Sequence, residues 1–268
     1  MELFNSSLYA GTESVTPYDT WLSCATEKVL FEHWLTEHLP RFNFSRIKDR
    51  PVTVLDLGCG WGATSLRLLR VLTGMGLTVD FVGVDPYQAQ LNRFDQQIPK
   101  NFRGDIELIC SDISKFDPNQ TFDFVLASHV LYYTNDLLDS LRKLCLLGRE
   151  LVIVHHGNNG INTIHRKFRD YVHSGPHVIS TDEDILSALD SIDLPGRLVQ
   201  HYQFPSTVNV SCYQGTNTAD SKNLTAFFLE RAHSELSEES YSEVARFVNA
   251  EYPHDHLMIH DVGIITVR

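Results

Sequence analysis

An apolar run that ends in an aspartate and three alternating glycines constrains this chain most: Val52 to Leu69 reads VTVLDLGCGWGATSLRLL. The run suits a strand buried on both faces. Leu66, Leu69 and Leu72 then recur at helical spacing. Between strand and helix, Gly58, Gly60 and Gly62 permit positive φ and leave bare backbone for a ligand to lie against. A strand, a glycine turn and a helix open a βαβ unit, and the pattern repeats. Val79–Pro86, Ile106–Asp112, Phe122–Val130 and Arg149–Gly157 read as strands. Tyr87–Ile98 and Asn135–Leu147 read as helices between them. Strands that alternate with helices and lack hairpin turns indicate an α/β protein with a doubly wound, mostly parallel sheet.

The outer segments are looser. Cys24–His38, Asn162–Val172 and a helix capped at Ser180-Thr181 are expected, followed by surface helices over Ser221–His233 and Glu238–Ala250. Leu198–Val210 and His256–Val267 have strand character. The expected organisation is an N-terminal helical cap segment over 1–50, a ligand-binding core over 51–157, substrate-cap insertions with outer sheet over 158–255, and a final core strand over 256–268.

In an open α/β sheet, ligands bind at the carboxyl ends of the strands. Gly58-x-Gly60-x-x-Ala63 also fits a dinucleotide turn. Asp56 separates the two readings, because a carboxylate beside the turn repels a pyrophosphate and attracts an ammonium or sulfonium. Asp85 ends the second strand in GVDP, where it can take two ribose hydroxyls. Asp112 ends the third in CSDI, where it can accept from an adenine amino group. Three acids at three successive strand ends suit a cationic nucleoside without phosphates.

The chain has 268 residues and a formal net charge of −12. That balance disfavours nucleic acid, which needs a basic patch. No apolar stretch approaches the ~20 residues of a membrane span. The first residues have neither a basic nor an apolar leader region, so no signal peptide is expected. The five cysteines include no CxxC pair, which suits a reducing, cytoplasmic setting.

The Asp56–Gly62 turn with Gly83-Val84-Asp85-Pro86 resembles the class I S-adenosylmethionine-dependent methyltransferases. WLSCATEKVLFEHWLTEHLP, SHVLYYTNDLLDSLRKL and TVNVSCYQGTNTADSKNLTAFFLE are similar to successive blocks of the histamine N-methyltransferases. The resemblance implies a seven-stranded sheet whose last strand is antiparallel, with a small helical and β cap. It implies S-adenosyl-L-methionine as cofactor, S-adenosyl-L-homocysteine as product, and transfer of a methyl group to a small amine or imidazole-type molecule by a monomer or weak dimer. Oxygen methylation of a phenol or hydroxyl is the alternative, and a catalytically silent cofactor-binding regulator a further one.

The cofactor residues implied are Asp56, Gly58, Gly60, Gly62, Asp85, Pro86, Asp112, Ile113 and Ser128. Glu27 falls where that family receives the far end of the amine, His129 where it has a glutamine, and His260 where it has an active-site asparagine. Tyr18 takes the place of a pocket aromatic, with Tyr132 and His156 beside the acceptor. His129, His260 and Tyr133 are the expected catalytic residues. A histidine base at 129 or 260 would make activity rise through about pH 6–7.5. His256 and His260 would share a strand face, but no cysteine pair or H-x-x-x-H helix supports a metal, and none is expected.

Overall fold

The computed structural model describes residues 7–10, 15–42, 44, 47, 49–134, 136–172, 179–215 and 218–268. Seven strands form one sheet in the order β3-β2-β1-β4-β5-β7-β6. They are β1 (Val52–Leu57), β2 (Val79–Asp85), β3 (Ile106–Cys110), β4 (Phe122–Ser128), β5 (Gly148–His156), β6 (Val199–Asn209) and β7 (Leu257–Val267). The first five are parallel, and β7 lies antiparallel between β5 and β6. The mostly parallel sheet with an antiparallel last strand is therefore present.

Among the described residues ten α-helices accompany it: α1 (Ser7–Ala10), α2 (Pro17–Cys24), α3 (Glu27–His38), α4 (Ser65–Gly74), α5 (Gln88–Asp95), α6 (Leu137–Leu147), α7 (Ile161–Lys167), α8 (Asp182–Asp190), α9 (Ala219–Leu229) and α10 (Glu238–Glu251). Val54, Phe81 and Phe124 face one side of the sheet and pack with Leu35, Leu68 and Phe94 of α3, α4 and α5. Leu55, Val84 and Val125 face the other and pack with Leu141, Leu144 and Ile185 of α6 and α8. Burial on both faces is why these strands are continuous apolar runs rather than alternating ones.

The helix expected over Cys24–His38 is present as α3, which begins at Glu27, and a further helix, α2, precedes it. Ala25 leaves helical geometry and bridges to Val208, and Thr26 N–H donates to the Thr207 carbonyl at 2.9 Å. The break makes Glu27 the first residue of α3. The helix expected on the surface over Ser221–His233 is largely buried as α9, whose Leu224, Ala226, Phe228 and Leu229 are inaccessible. It packs against α2 in a third apolar cluster with Trp21, Ile164, Val244 and Met258. With neighbours on several sides, α9 carries no single apolar stripe that would mark one buried face.

The expected start of α6 at Asn135 lies outside the described residues. So do parts of the expected cap segment 1–50. Within 158–255, β6 belongs to the sheet and α8 packs on its face, while α7, α9 and α10 form the third cluster.

Candidate active site

The sheet order reverses beside β1, where β2 and β3 lie to one side and β4 to the other. A cavity of about 370 Å³ opens there, at the carboxyl ends of β1, β2 and β4. That is the expected position for a ligand in an open α/β sheet. Its volume is within the roughly 300–1,000 Å³ of small-molecule sites.

At one end the glycine turn is held by Asp85. The Gly60 N–H donates to Asp85 Oδ2 at 2.9 Å, and the Tyr87 N–H donates to Oδ1 at 2.9 Å. Gly58 has φ +78°, and a Cβ there would sit 2.2 Å from Val130 Cγ1, so only glycine fits. Asp56 is buried under the turn and accepts from Ser65 Oγ at 2.5 Å. Burial pushes the Asp56 carboxyl up to about 7, with Ser65 and Lys28 opposing. Burial likewise pushes Asp85 up to about 6 against its two backbone donors.

Several polar atoms at this end have no hydrogen-bond partner among the described residues: Asp56 Oδ1, Ser128 Oγ, Trp61 Nε1 and Gln90 Oε1. Their residues all line the cavity. Buried polar groups are normally satisfied, so unmet donors and acceptors gathered on one wall fit a polar ligand. Carboxylates outnumber other charges there, which fits a cationic nucleoside. Pro86, Asp112 and Ile113 also line the wall. Asp112 Oδ1 accepts from the Ser114 N–H at 2.8 Å and its hydroxyl at 2.7 Å, so this oxygen also serves the local turn.

At the other end is a buried polar cluster. Glu27 Oε1 accepts from Lys28 Nζ at 2.8 Å and contacts His129 Nε2 at 2.7 Å. His129 Nδ1 bonds to the Tyr132 hydroxyl. A neutral ring meets both demands when Nε2–H donates to the carboxylate and Nδ1 accepts from the phenol. Burial raises the cost of the Glu27 carboxylate, but His129 and Lys28 outweigh it and hold the acid well below its usual range. Burial also holds His129 below the usual histidine range, with Glu27 pulling the other way. The cluster is thus carboxylate, ammonium and neutral imidazole. His129 is one of three non-glycine residues with positive φ among those described, at φ 56°. Backbone strain of this kind persists where surrounding contacts hold it, often at functional sites.

Aromatic rings wall the rest. Tyr132 stacks on His156 with centroids 4.9 Å apart. Tyr133 bonds to Tyr9 through their hydroxyls at 2.8 Å. Tyr18 lies 5.4 Å from Tyr9 and 5.9 Å from Phe227, centroid to centroid. Burial drives the Tyr132 and Tyr133 phenols well above their usual range, so both remain protonated. His156 faces this space and burial keeps it neutral, while its neighbour His155 turns away to Ser180 Oγ at 2.8 Å.

Glu27, His129, Tyr18, Tyr132, Tyr133 and His156 therefore share one cavity with Asp56, Gly58, Gly60, Asp85, Pro86, Asp112, Ile113 and Ser128. Two expected site residues do not line it. Gly62 has φ +88° and would place a Cβ 2.8 Å from Phe94, so it serves the packing of α5 rather than a ligand. His260 is inaccessible and sits behind the wall, 5.1 Å from Trp21 and 4.8 Å from His156 by ring centroids. Its Nε2 is 3.7 Å from Glu27 Oε2, beyond hydrogen-bond reach. His260 thus backs the cluster and cannot touch an acceptor in this arrangement. His256 precedes β7 at φ 53° and bonds to Gln214 away from the cavity, so the two histidines do not share a ligand face. No cluster of metal-ligating side chains occurs among the described residues.

Sequence reasoning missed Lys28, Trp21, Tyr9, Phe227 and Glu230, which also line the cavity. Burial pushes Glu230 up to about 8. Trp21, Lys28, Phe227 and Glu230 fall inside the quoted blocks, but nothing in their spacing marks them as cavity residues. Phe227 and Glu230 arrive from α9, whose end folds back over the cleft.

Residues 54–146 match the methyltransferase domain family. Over that segment, which holds the Asp56–Gly62 turn, Asp85 and Asp112, the chain is similar to a methyltransferase domain. Among individual proteins, a 171-residue stretch is 26% identical to histamine N-methyltransferase A of Xenopus laevis, covering 58% of this chain and 58% of that one. A ubiquinone biosynthesis O-methyltransferase of Bradyrhizobium diazoefficiens is 27% identical over 118 residues, covering 44% and 42% of the two chains. The chain thus spans 58% and 42% of the lengths of these two curated relatives. The solved structure of coclaurine N-methyltransferase, bound to N-methylheliamine and S-adenosylhomocysteine, superposes with a TM-score of 0.54 at 14% identity over 98% of this chain and 77% of that one. That likeness concerns the fold. No helix among the described residues is long and apolar enough to cross a membrane.

Proposed function

We propose that this protein transfers a methyl group from S-adenosylmethionine to the nitrogen of a small amine or imidazole-type molecule. The observation that carries this reading is one cavity with the acids Asp56 and Asp85 at one end and a carboxylate, Glu27, kept ionised at the other. Bound cofactor supplies an electrophilic methyl on a sulfonium. Asp85 would take the ribose hydroxyls, Ile113 and Asp112 would hold the base, and Asp56 would receive the amino-acid end.

The chain's own part is alignment and exclusion of water, which can supply roughly 7–11 kcal/mol of a displacement barrier. Glu27 accepts an N–H from the far end of the acceptor, as the resemblance to histamine N-methyltransferase implies. His129 holds Glu27 and Tyr132 in place with both ring nitrogens, so it is a positioning residue rather than a free base. Tyr18, Tyr132 and Phe227 wall a space that favours a neutral amine, because burial disfavours an ammonium. The acceptor nitrogen then enters deprotonated, its proton already lost to water. Tyr132 and Tyr133 stay protonated and both ring nitrogens of His129 are engaged, so these three groups are not free to ionise a phenol, which favours nitrogen over oxygen as the acceptor. Incubation with methyl-labelled S-adenosylmethionine and a panel of amines, imidazoles and phenols tests the reading, with labelled N-methyl products expected. Label found only in ethers, or none despite bound cofactor, would reject it.

A further inference from the structure

Lys28 is buried, yet it forms part of the cavity wall. Burying a lysine costs free energy unless its charge is answered. Its hydrogen bond goes to Glu27 Oε1 at 2.8 Å, and that oxygen also meets His129 at 2.7 Å. An ammonium carries three donors, so two remain beyond the one given to Glu27. Lys28 lines the same cavity as Glu27 at the acceptor end and Asp56, Gly58 and Gly60 at the cofactor end. The ammonium therefore borders the space that the two ends share. The other lysine on the wall, Lys143, is bonded to the Phe116 carbonyl. The remaining charged groups nearby are acids: Asp56, Asp85, Asp112, Glu27 and Glu230.

The methionine part of the cofactor carries an α-carboxylate. Among so many acids a buried carboxylate needs a cationic partner, and charge-assisted pairs are the strong ones. Resting on the methyltransferase reading above, we propose that Lys28 binds the α-carboxylate of S-adenosylmethionine while remaining on Glu27. One ammonium then serves two carboxylates. Glu27 is less neutralised when cofactor is present, so its pull on a cationic or N–H-donating acceptor strengthens only after the cofactor has bound. Lys28 would link the two halves of the site and favour cofactor-first binding.

Calorimetry with S-adenosylhomocysteine and 5′-methylthioadenosine tests this, because the second ligand keeps the nucleoside and thioether but lacks the amino-acid end. Lys28→Met should weaken S-adenosylhomocysteine roughly 10–100-fold, the scale of a charged hydrogen bond, and leave 5′-methylthioadenosine unchanged. Equal loss for both ligands, or no loss for either, overturns the assignment. Should Lys28→Met fail to fold, Lys28→Arg keeps the charge but moves the donors, so the preference for S-adenosylhomocysteine over 5′-methylthioadenosine must change. An unchanged preference overturns the proposal. Wild-type protein that binds neither ligand overturns the cofactor reading as well. Wild-type protein that binds both, with a ratio insensitive to Lys28, overturns this proposal alone.

Discussion

His129 Nε2 lies 2.7 Å from Glu27 Oε1, and the two residues are 102 positions apart in the chain. The contact joins the turn after β4 to the first residue of α3. It exists because helical geometry breaks at Ala25 and because His129 accepts a left-handed φ of 56°. The same ring meets the Tyr132 hydroxyl through its other nitrogen. No ring nitrogen is left over to take a proton from an acceptor.

His129→Gln should therefore be mild. Glutamine can donate from its amide nitrogen to Glu27 and accept from Tyr132 with its oxygen. The expected loss in kcat is less than about tenfold, against the ~10²–10⁴-fold typical for removing a general base. Since burial keeps His129 neutral below the usual histidine range, kcat should show no His129-dependent rise between pH 6 and 7.5. A pH profile of kcat for wild type and His129→Gln decides this. A loss above 100-fold together with disappearance of a limb near pH 6–7.5 would restore His129 as the base.

Cofactor affinity should carry the pH dependence instead. Asp56 is pushed up to about 7 and Asp85 to about 6 by burial. A cation binds best to their ionised forms, so both must release protons as it docks. Affinity for S-adenosylmethionine should rise from pH 5.5 to pH 8 and flatten above. Calorimetry in buffers of different ionisation heat should show proton release near pH 6.5. Asp85→Ala should cost about 1.5–3 kcal/mol of binding. Affinity that is flat across this range would contradict the account.

Asp56 also sets a stability cost. Its folded-state value of about 7 lies above the unfolded carboxylate range, so the cofactor-free fold binds the proton more tightly than the unfolded chain does. Its contribution is therefore favourable only at low pH and is lost as pH rises from about 4 to 7. At pH 8 the penalty is on the order of a few kcal/mol. Asp56→Asn removes the charge and can still accept from Ser65. It should raise the melting temperature of the cofactor-free protein more at pH 8 than at pH 5, while weakening cofactor binding. A melting temperature that drops at both pH values would show that Asp56 stabilises the fold as an anion.

The cofactor end was legible because its signals are local. Asp56, Gly58 and Gly60 lie within five residues, and Asp85 follows the next strand directly. Gly62 shares the spacing but spends its glycine on contact with Phe94, a distinction that spacing alone cannot make. The acceptor end was legible only in part. Glu27, His129 and Tyr132 were found through the resemblance. Whether a strand residue faces a cavity or sits a layer behind it depends on what covers the strand, and β7 is covered by Trp21 and Gly160 around His260. Lys28 gave no signal, since a lysine in the first turn of a helix ordinarily points to solvent. The burial of α9 is not legible because its first half, Ala219–Asn223, is mostly polar and its contacts come from several sides rather than along one apolar stripe.

The most direct test of the central claim is the mass of the product. The protein should be incubated with S-adenosylmethionine bearing a labelled methyl group and with matched pairs of small amines and phenols that share one ring scaffold. The account predicts label on nitrogen for an amine or imidazole, and its loss when Glu27→Gln weakens the hold on the acceptor's far end. Label on phenol oxygen alone, or cofactor bound at Asp85 with no methyl transferred to any acceptor, would contradict it.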